Sequence, residues 1–320
     1  MNQSIISVNQ HEEAGSVPQE QPQKTSWLRK WRPVITKIVT VGIVSFIVWW
    51  IWNNFDSFVS IFHQVGWLRL SGMALIFQLT IFINVFTFTI LIRGMGYSFS
   101  VLDSYHALNL SQVAAAVPGK VWGFAGLAGL LIARKISKPD TVLIIFLNTL
   151  LNLSACLIVG LVGLTPIIGW GLSLLSLVPV ALIIAGRPWL EKLRARFFKG
   201  TTYLPSSGVM LKILITATLS WALVAAAFSW LVHMNYGGWP TSPWLVASAW
   251  PAGYVGGFLS LFTPSGLGVS EGIVTLILSP SMGRDAAMGV AVAFRVIHTL
   301  VLWLNVAISL VIMTVAKRAD

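Results

Sequence analysis

The sequence has few charged residues for its length and only one cysteine. Asp, Glu, Lys and Arg make up 10% of the 320 residues, while hydrophobic residues make up 56%. A soluble domain carries about 25% charged residues. Because apolar runs recur along nearly the whole chain, this shortage excludes a soluble domain with one membrane anchor. Cys156 lies within an apolar run, which excludes a disulfide framework and a cysteine-based metal site.

Catalytic motifs are also missing. The sequence contains no G-x-S-x-G, no P-loop, no H-E-x-x-H and no D-x-D pair. Its five histidines are scattered, at positions 11, 63, 106, 233 and 298. We therefore expect no enzymatic activity, no metal and no cofactor.

Acidic residues are scarce relative to basic ones. The chain has 21 Lys and Arg against 10 Asp and Glu, a formal net charge of +11. Such a balance is found in nucleic-acid-binding proteins. Here, however, the basic residues stand in short clusters between apolar runs, as in the cytoplasmic loops of membrane proteins. The pattern favours membrane topology, and we expect no nucleic acid as a partner.

The apolar runs predict an all-α polytopic membrane protein. About 20 apolar residues are needed to cross the hydrocarbon core as a helix. Six runs reach this length, at Val34–Trp52, Trp67–Ile92, Thr141–Leu164, Pro166–Gly186, Leu211–His233 and Ala286–Ala316. Two further apolar regions, 104–133 and 243–280, are interrupted by Pro and Gly, so a simple hydropathy count gives eight segments.

The basic clusters fix the orientation of these segments. The cluster 29–37 precedes the first run, and Arg93 follows the second. The cluster 134–138 follows the first interrupted region, 187–199 follows the fourth run, and 317–318 ends the chain. All of them fall in the cytoplasm only if each interrupted region begins and ends on one side. The arms 104–117 and 119–133 reach only about 20–22 Å. We therefore predict about six full spans and two re-entrant helical hairpins, with residues 243–262 spanning alone as the alternative for the second hairpin. Both termini are predicted to be cytoplasmic in a bacterial-type inner (plasma) membrane.

The order of segments is the same in the two halves of the chain. Each half has two spans, a hairpin and a span, but the first half starts in the cytoplasm and the second starts outside. This pattern indicates an inverted-topology repeat, although coincidence of hydropathy is the alternative. The predicted organisation is a disordered basic tail (1–33), a first membrane repeat (34–164), an inverted second repeat (165–316) and a short cytoplasmic tail (317–320).

The tip of the first hairpin is one candidate site. Pro118 frees a backbone carbonyl, Gly119 permits a sharp turn, and Lys120 is a cation at membrane depth. An unpaired lysine there costs about 2.5–3.5 kcal/mol, so we expect an anionic partner. The alternative is that Lys120 snorkels to the interface.

The tip of the second hairpin is the other candidate site. Pro264, Ser265, Gly266 and Gly268 break the helix just before Glu271. Free N–H groups at the start of the next helix would point inward. Glu271 is the only acidic residue in any predicted membrane segment.

Arg295 lies well inside the last predicted span. Lys120, Glu271 and Arg295 could meet at the interface between the repeats and leave a net positive site for a lipid headgroup. A purely structural salt-bridge network is the alternative, and the two interpretations are compatible.

These two interrupted motifs carry a resemblance to a known family. The stretch 117–123, the stretch 264–272 and Arg295 resemble the lysylphosphatidylglycerol synthase transmembrane region family, also called UPF0104, over roughly residues 34–316. Ser265 departs from the glycine common in the family. Relatives include the flippase half of the multiple peptide resistance factor, which moves aminoacylated phosphatidylglycerol between leaflets. The resemblance implies a lipid translocase or lipid-binding membrane protein. No aminoacyl transfer is expected, because the chain stops four residues after the last span.

Three functions remain open at this point. The first is translocation of an anionic phospholipid or a polyprenyl-linked lipid, and the second is a membrane-embedded transferase acting on a lipid carrier. The third is a membrane partner that holds a glycosyltransferase or synthetase, with the basic loop 187–199 as the docking surface. A homodimer is also considered.

Overall fold

The computed structural model describes residues 66–115, 121–198, 204–260 and 266–319, together with residues 52 and 200. All regular secondary structure within these ranges is helical. Five helical segments there are long and apolar enough to cross a membrane. The chain is therefore an all-α multi-pass membrane protein, as predicted.

Four of the five long segments are continuous helices. They are α1 (Trp67–Gly94), α4 (Lys138–Gly163), α8 (Ser207–Tyr236) and α11 (Arg284–Ala319). Each matches a predicted span to within a few residues, and α4, α8 and α11 begin before the apolar run because capping and interfacial residues start the helix. Ser137 and Ser206 cap α4 and α8 through their side chains. The predicted span Val34–Trp52 and the tail 1–33 lie outside the described residues, apart from Trp52.

The fifth long segment is broken into three pieces. It consists of α5 (Thr165–Ser173), a 3₁₀ turn (Leu174–Leu177) and α6 (Val178–Ile184). Gly169 has a φ of 76°, outside the helical region, and interrupts α5. The predicted span is thus present but kinked.

Each interrupted region forms a pair of short helices that pack against each other. The first pair is α2 (Val101–Ala115) and α3 (Val121–Ala133), and the second is α9 (Pro243–Leu259) and α10 (Val269–Met282). Arg134, just after α3, forms a 2.7 Å ion pair with Asp103 near the start of α2. The first pair is therefore a hairpin whose two ends meet at one side.

The segment predicted as a basic loop begins with a helix, α7 (Arg187–Phe197). The sequence analysis missed this helix because its apolar and basic residues alternate and it is too short to give a hydropathy signal. Pro188 stands in its first turn, where a missing N–H costs no hydrogen bond.

The described basic clusters lie at the same end of the helix bundle. Gly94 at the end of α1 lies against Val209 at the start of α8, so the ends that carry Arg93 and α7 are adjacent. Gly200, after α7, lies against Pro139 at the start of α4. The clusters at 93, 134–138 and 187–198 therefore share one end, which we call the basic end.

The other end of the bundle carries fewer basic groups. Gly72 near the start of α1 lies against Trp230 near the end of α8. Tyr236, the last residue of α8, donates a 3.5 Å hydrogen bond to the carbonyl of Ser281 near the end of α10. Arg284 at the start of α11 belongs to this second end, which we call the far end.

Helix packing follows one pattern in both halves of the described chain. Helices α1 and α8, which correspond to the second predicted span of each half, pack on each other. The hairpin helix α9 packs on α4, and its counterpart α2 packs on α11. Likewise α8 packs on α4 and α9, while α1 packs on α11 and α2. Exchanging the two halves therefore returns the same set of neighbouring helices.

Candidate functional site

The tip of the second hairpin depends on glycine. Gly266 and Gly268 have φ values of +74° and +81°, a region that other residues rarely adopt. A Cβ built on Gly266 would lie 2.8 Å from the Cα of Gly257 on α9. One built on Gly253 would lie 2.6 Å from the carbonyl oxygen of Ser270 on α10. Small residues thus let the two arms approach closely, as at many membrane helix interfaces.

Glu271 closes the first turn of α10. Gly268 is the N-cap residue, and its N–H donates a 2.7 Å hydrogen bond to Glu271 Oε2. A carboxylate is favourable at this position because the first N–H groups of a helix lack intrahelical partners and carry partial positive charge. The helix break that the sequence predicts is therefore held by the acidic residue next to it.

Arg295 approaches the same carboxylate from α11. It lies about 16 Å along this helix from Arg284, at 1.5 Å per residue. Its Nε donates a 2.6 Å hydrogen bond to Glu271 Oε1, and the side chains are only 10% and 6% exposed. The pair therefore links the start of α10 to the interior of α11. A buried ion pair costs desolvation, so its occurrence here calls for a structural or functional reason.

The described residues do not fully satisfy the guanidinium of Arg295. Its Nη2 is buried and has no hydrogen-bond partner among the described residues. The carbon Cζ lies 5.4 Å from the ring centroid of Trp250 on α9, which covers one face of the group. Trp250 is in turn held edge-on by Phe294, with ring centroids 4.7 Å apart. Among the residues with described positions, one edge of this cation thus has no acceptor.

The local electrostatics favour an anion. Glu271 balances the charge of Arg295, but α10 begins at this point and adds the partial positive charge of its first turn. The Glu271–Arg295 ion pair brings the guanidinium of Arg295 to the first turn of α10, where the first N–H groups of this helix are found. An oxyanion there could accept hydrogen bonds from both, and such charge-assisted bonds are strong where water is excluded.

The structure brings together four of the nine predicted site residues. Gly266, Gly268, Glu271 and Arg295 meet at the second tip, as described above. The five others lie outside the described residues, so their place in the site stays a prediction: Pro118, Gly119, Lys120, Pro264 and Ser265.

Trp250 was missed by the sequence analysis. Tryptophan is common near the ends of membrane spans, so the residue type alone does not indicate a buried site. Trp250 instead stands in the middle of a hairpin arm, and this unusual depth is the signal that could have identified it.

Other buried polar side chains hold helices together away from this site. Asn305 on α11 donates a 2.8 Å hydrogen bond to Gln78 on α1 and accepts one from Tyr105 on α2. In the other half, Asn152 on α4 accepts a 2.9 Å hydrogen bond from Trp221 Nε1 on α8. Both asparagines therefore join the last helix of one half to the second helix of the other. The described residues hold no group of three His, Cys, Asp or Glu side chains suited to a metal.

Comparison with known proteins identifies the family. No curated protein matches the chain. The sequence profile described as lysylphosphatidylglycerol synthase TM region matches residues 37–305, which include the whole second hairpin and the Glu271–Arg295 pair. That match covers most of the 320 residues, so the chain belongs to the lysylphosphatidylglycerol synthase transmembrane region family, a family of lipid-acting membrane proteins.

Proposed function

We propose that this protein is a flippase-like lipid translocase that moves an anionic or polyprenyl-linked lipid between the two leaflets. The observation that carries the proposal is Nη2 of Arg295, which is buried and has no hydrogen-bond partner within the described part of the chain, while the same side chain pairs with Glu271 in the first turn of α10. Phosphate is the group that a guanidinium and free helix N–H groups bind best. In a lipid bilayer, the available phosphates belong to lipid headgroups.

The depth of the site in the membrane supports binding of a headgroup while the lipid moves between leaflets. Helix α1 is 28 residues long, or about 42 Å. Helix α2 enters from the basic end and is about 22 Å long, while α10 reaches about 21 Å from the far end. Two arms of half the bundle height end near the middle, so we propose that both hairpins are re-entrant. A headgroup at their tips would be halfway between the leaflets while its tails stay in lipid.

The packing pattern supports an inverted-topology repeat. The described helices keep the same neighbours when the halves 34–164 and 165–316 are exchanged, and the asparagine bonds follow this exchange. Transporters with this architecture place their substrate at the midplane between broken helices. The proposed site, at the break between α9 and α10, fits this rule.

The basic end supports an orientation. Loops with an excess of Lys and Arg face the cytoplasm in inner-membrane proteins. We therefore place the basic end in the cytoplasm and the far end outside, with both termini cytoplasmic in a plasma membrane.

The contacts of Glu271 favour transport over group transfer. Both carboxylate oxygens are engaged, one by the N–H of Gly268 and one by Arg295. A carboxylate held in this way is poorly placed to exchange protons with a substrate. We therefore assign Glu271 to holding Arg295 and the start of α10, and Arg295 to binding the headgroup.

Substitution of Arg295 by lysine tests this assignment. Lysine keeps a positive charge for Glu271 but lacks the planar fork that presents a second donor. Loss of one charge-assisted hydrogen bond should weaken binding of phosphatidylglycerol about tenfold or more. Binding can be measured as the rise in thermal unfolding temperature when phosphatidylglycerol is titrated into the detergent-solubilised protein, with phosphatidylcholine as reference.

A matched variant controls for general damage to α11. Asn305→Leu changes a buried polar residue on the same helix, away from the site, and should bind phosphatidylglycerol like the parent. The proposal fails if Arg295→Lys, folded like the parent, binds phosphatidylglycerol equally well.

A further inference from the structure

Helix α7 lies across the basic end of the bundle. At its start, Arg187 Nη1 donates a 2.8 Å hydrogen bond to the carbonyl of Pro205, which precedes α8. At its end, the ring of Phe198 packs on Phe146 of α4 with centroids 5.2 Å apart. Both ends of the helix are thus tied to the same end of the bundle. The helix therefore runs roughly along this surface and does not extend away from it.

The outward face of α7 combines aromatic and basic side chains. Trp189 and Phe197 are 55% and 66% exposed. Lys192 and Arg196 are also exposed, and they stand one helical turn apart on the side of Trp189. Leu190 packs against the hydrophobic core, and Phe197, two turns later on nearly the same side, is exposed at the end of the helix.

The basic groups on this face are not neutralised by the protein. Glu191 pairs with Arg187 at 3.4 Å and with Arg194 at 2.9 Å. Lys192 and Arg196 form no ion pair within the described part of the chain. The exposed face of α7 therefore carries a local positive charge beside large apolar side chains.

We propose that this face, formed by Trp189, Lys192, Arg196 and Phe197, is a binding surface for anionic phospholipid headgroups of the adjoining leaflet. Aromatic side chains at the headgroup level together with Lys and Arg are typical of helices that lie in the membrane interface. Trp189 and Phe197 are exposed at the end of a membrane-spanning bundle, and the headgroup region of the adjoining leaflet is the surface that such aromatic side chains favour. An acidic partner protein would match the charge, but not the two exposed aromatic side chains at lipid level. This inference is independent of the proposed translocation.

Quenching by brominated lipid measures this binding directly. The only cysteine is replaced (Cys156→Ala), a bimane fluorophore is attached at Ala195→Cys on α7, and the protein is reconstituted in vesicles of three parts phosphatidylcholine and one part phosphatidylglycerol. Two vesicle sets of equal composition carry bromine either on phosphatidylglycerol or on phosphatidylcholine. Ala286→Cys, exposed at the far end, serves as the matched position.

The quenching by each brominated lipid at position 195 gives the local ratio of phosphatidylglycerol to phosphatidylcholine. This local ratio should exceed the bulk ratio by up to about fivefold per basic group. The excess should disappear in Lys192→Gln/Arg196→Gln and at high salt, and persist in Arg69→Gln/Arg284→Gln, which removes two charges from the far end.

Equal enrichment of phosphatidylglycerol at positions 195 and 286, or no enrichment at either, would overturn the proposal. If there is no enrichment, an acidic protein is left as the partner of this surface. Because no transport is measured, neither result bears on translocation.

Discussion

Glu271 is the third residue of a short helix, and Arg295 lies in the interior of the next one, yet Oε1 and Nε of these residues are 2.6 Å apart. This ion pair joins the broken helix of the second hairpin to the last long helix. The same carboxylate also accepts the N–H of Gly268, so one side chain stabilises both the helix start and the cation.

The two members of this pair should depend on each other for stability. Glu271→Gln or Arg295→Met alone leaves a buried unpaired charge, which typically costs about 3–5 kcal/mol. The double variant Glu271→Gln/Arg295→Met leaves no charge and should be more stable than either single variant. Thermal unfolding of the four detergent-solubilised proteins measures this. Strictly additive effects would show that the pair does not contribute as a unit.

Close packing of the second hairpin predicts different effects of alanine at two glycines. Gly253→Ala should destabilise the protein by about 1–3 kcal/mol, because the new methyl group meets the carbonyl of Ser270. Gly272 on α10 has nothing within 4 Å of a built Cβ, so Gly272→Ala should be neutral or stabilising. The measurement is the unfolding temperature of each variant. Equal loss of stability in both would contradict the close approach of α9 and α10.

The orientation predicts opposite labelling at the two ends of the bundle. In a Cys156→Ala background, a cysteine at Lys135 on the basic end should resist a membrane-impermeant maleimide in intact cells, and one at Thr241 on the far end should react. Both should react after the cells are permeabilised, which controls for access. Reaction at position 135 in intact cells would reverse the assignment of the cytoplasmic side.

The sequence analysis predicted the helical segments well because they follow from local composition. Runs of about 20 apolar residues are helices in a bilayer. The described hairpin helices lie on either side of the two predicted interruptions. The pairing of Glu271 with Arg295 was foreseen because charges inside a membrane segment require a partner. The break at Gly169 and helix α7 were missed, because a kink and a short basic helix leave no hydropathy signal.

The contribution of Trp250 could not be predicted from local composition. Its contact with Arg295 joins α9 to α11, between residues far apart in the sequence, so it depends on the tertiary packing of the second hairpin and not on local composition. For the same reason, the sequence could propose that Lys120 joins the site but could not place it there.

Lipid movement in proteoliposomes tests the central claim most directly. Phosphatidylglycerol with a fluorescent acyl chain is placed in both leaflets, and a membrane-impermeant reductant bleaches only molecules that reach the outer leaflet. The parent and the control Gln78→Leu/Asn305→Leu, which removes a partly buried polar pair between α1 and α11, should both accelerate bleaching of the inner pool. The folded double variant Glu271→Gln/Arg295→Met should not, because its site no longer binds the headgroup. Equal acceleration by this variant and the parent would contradict the account.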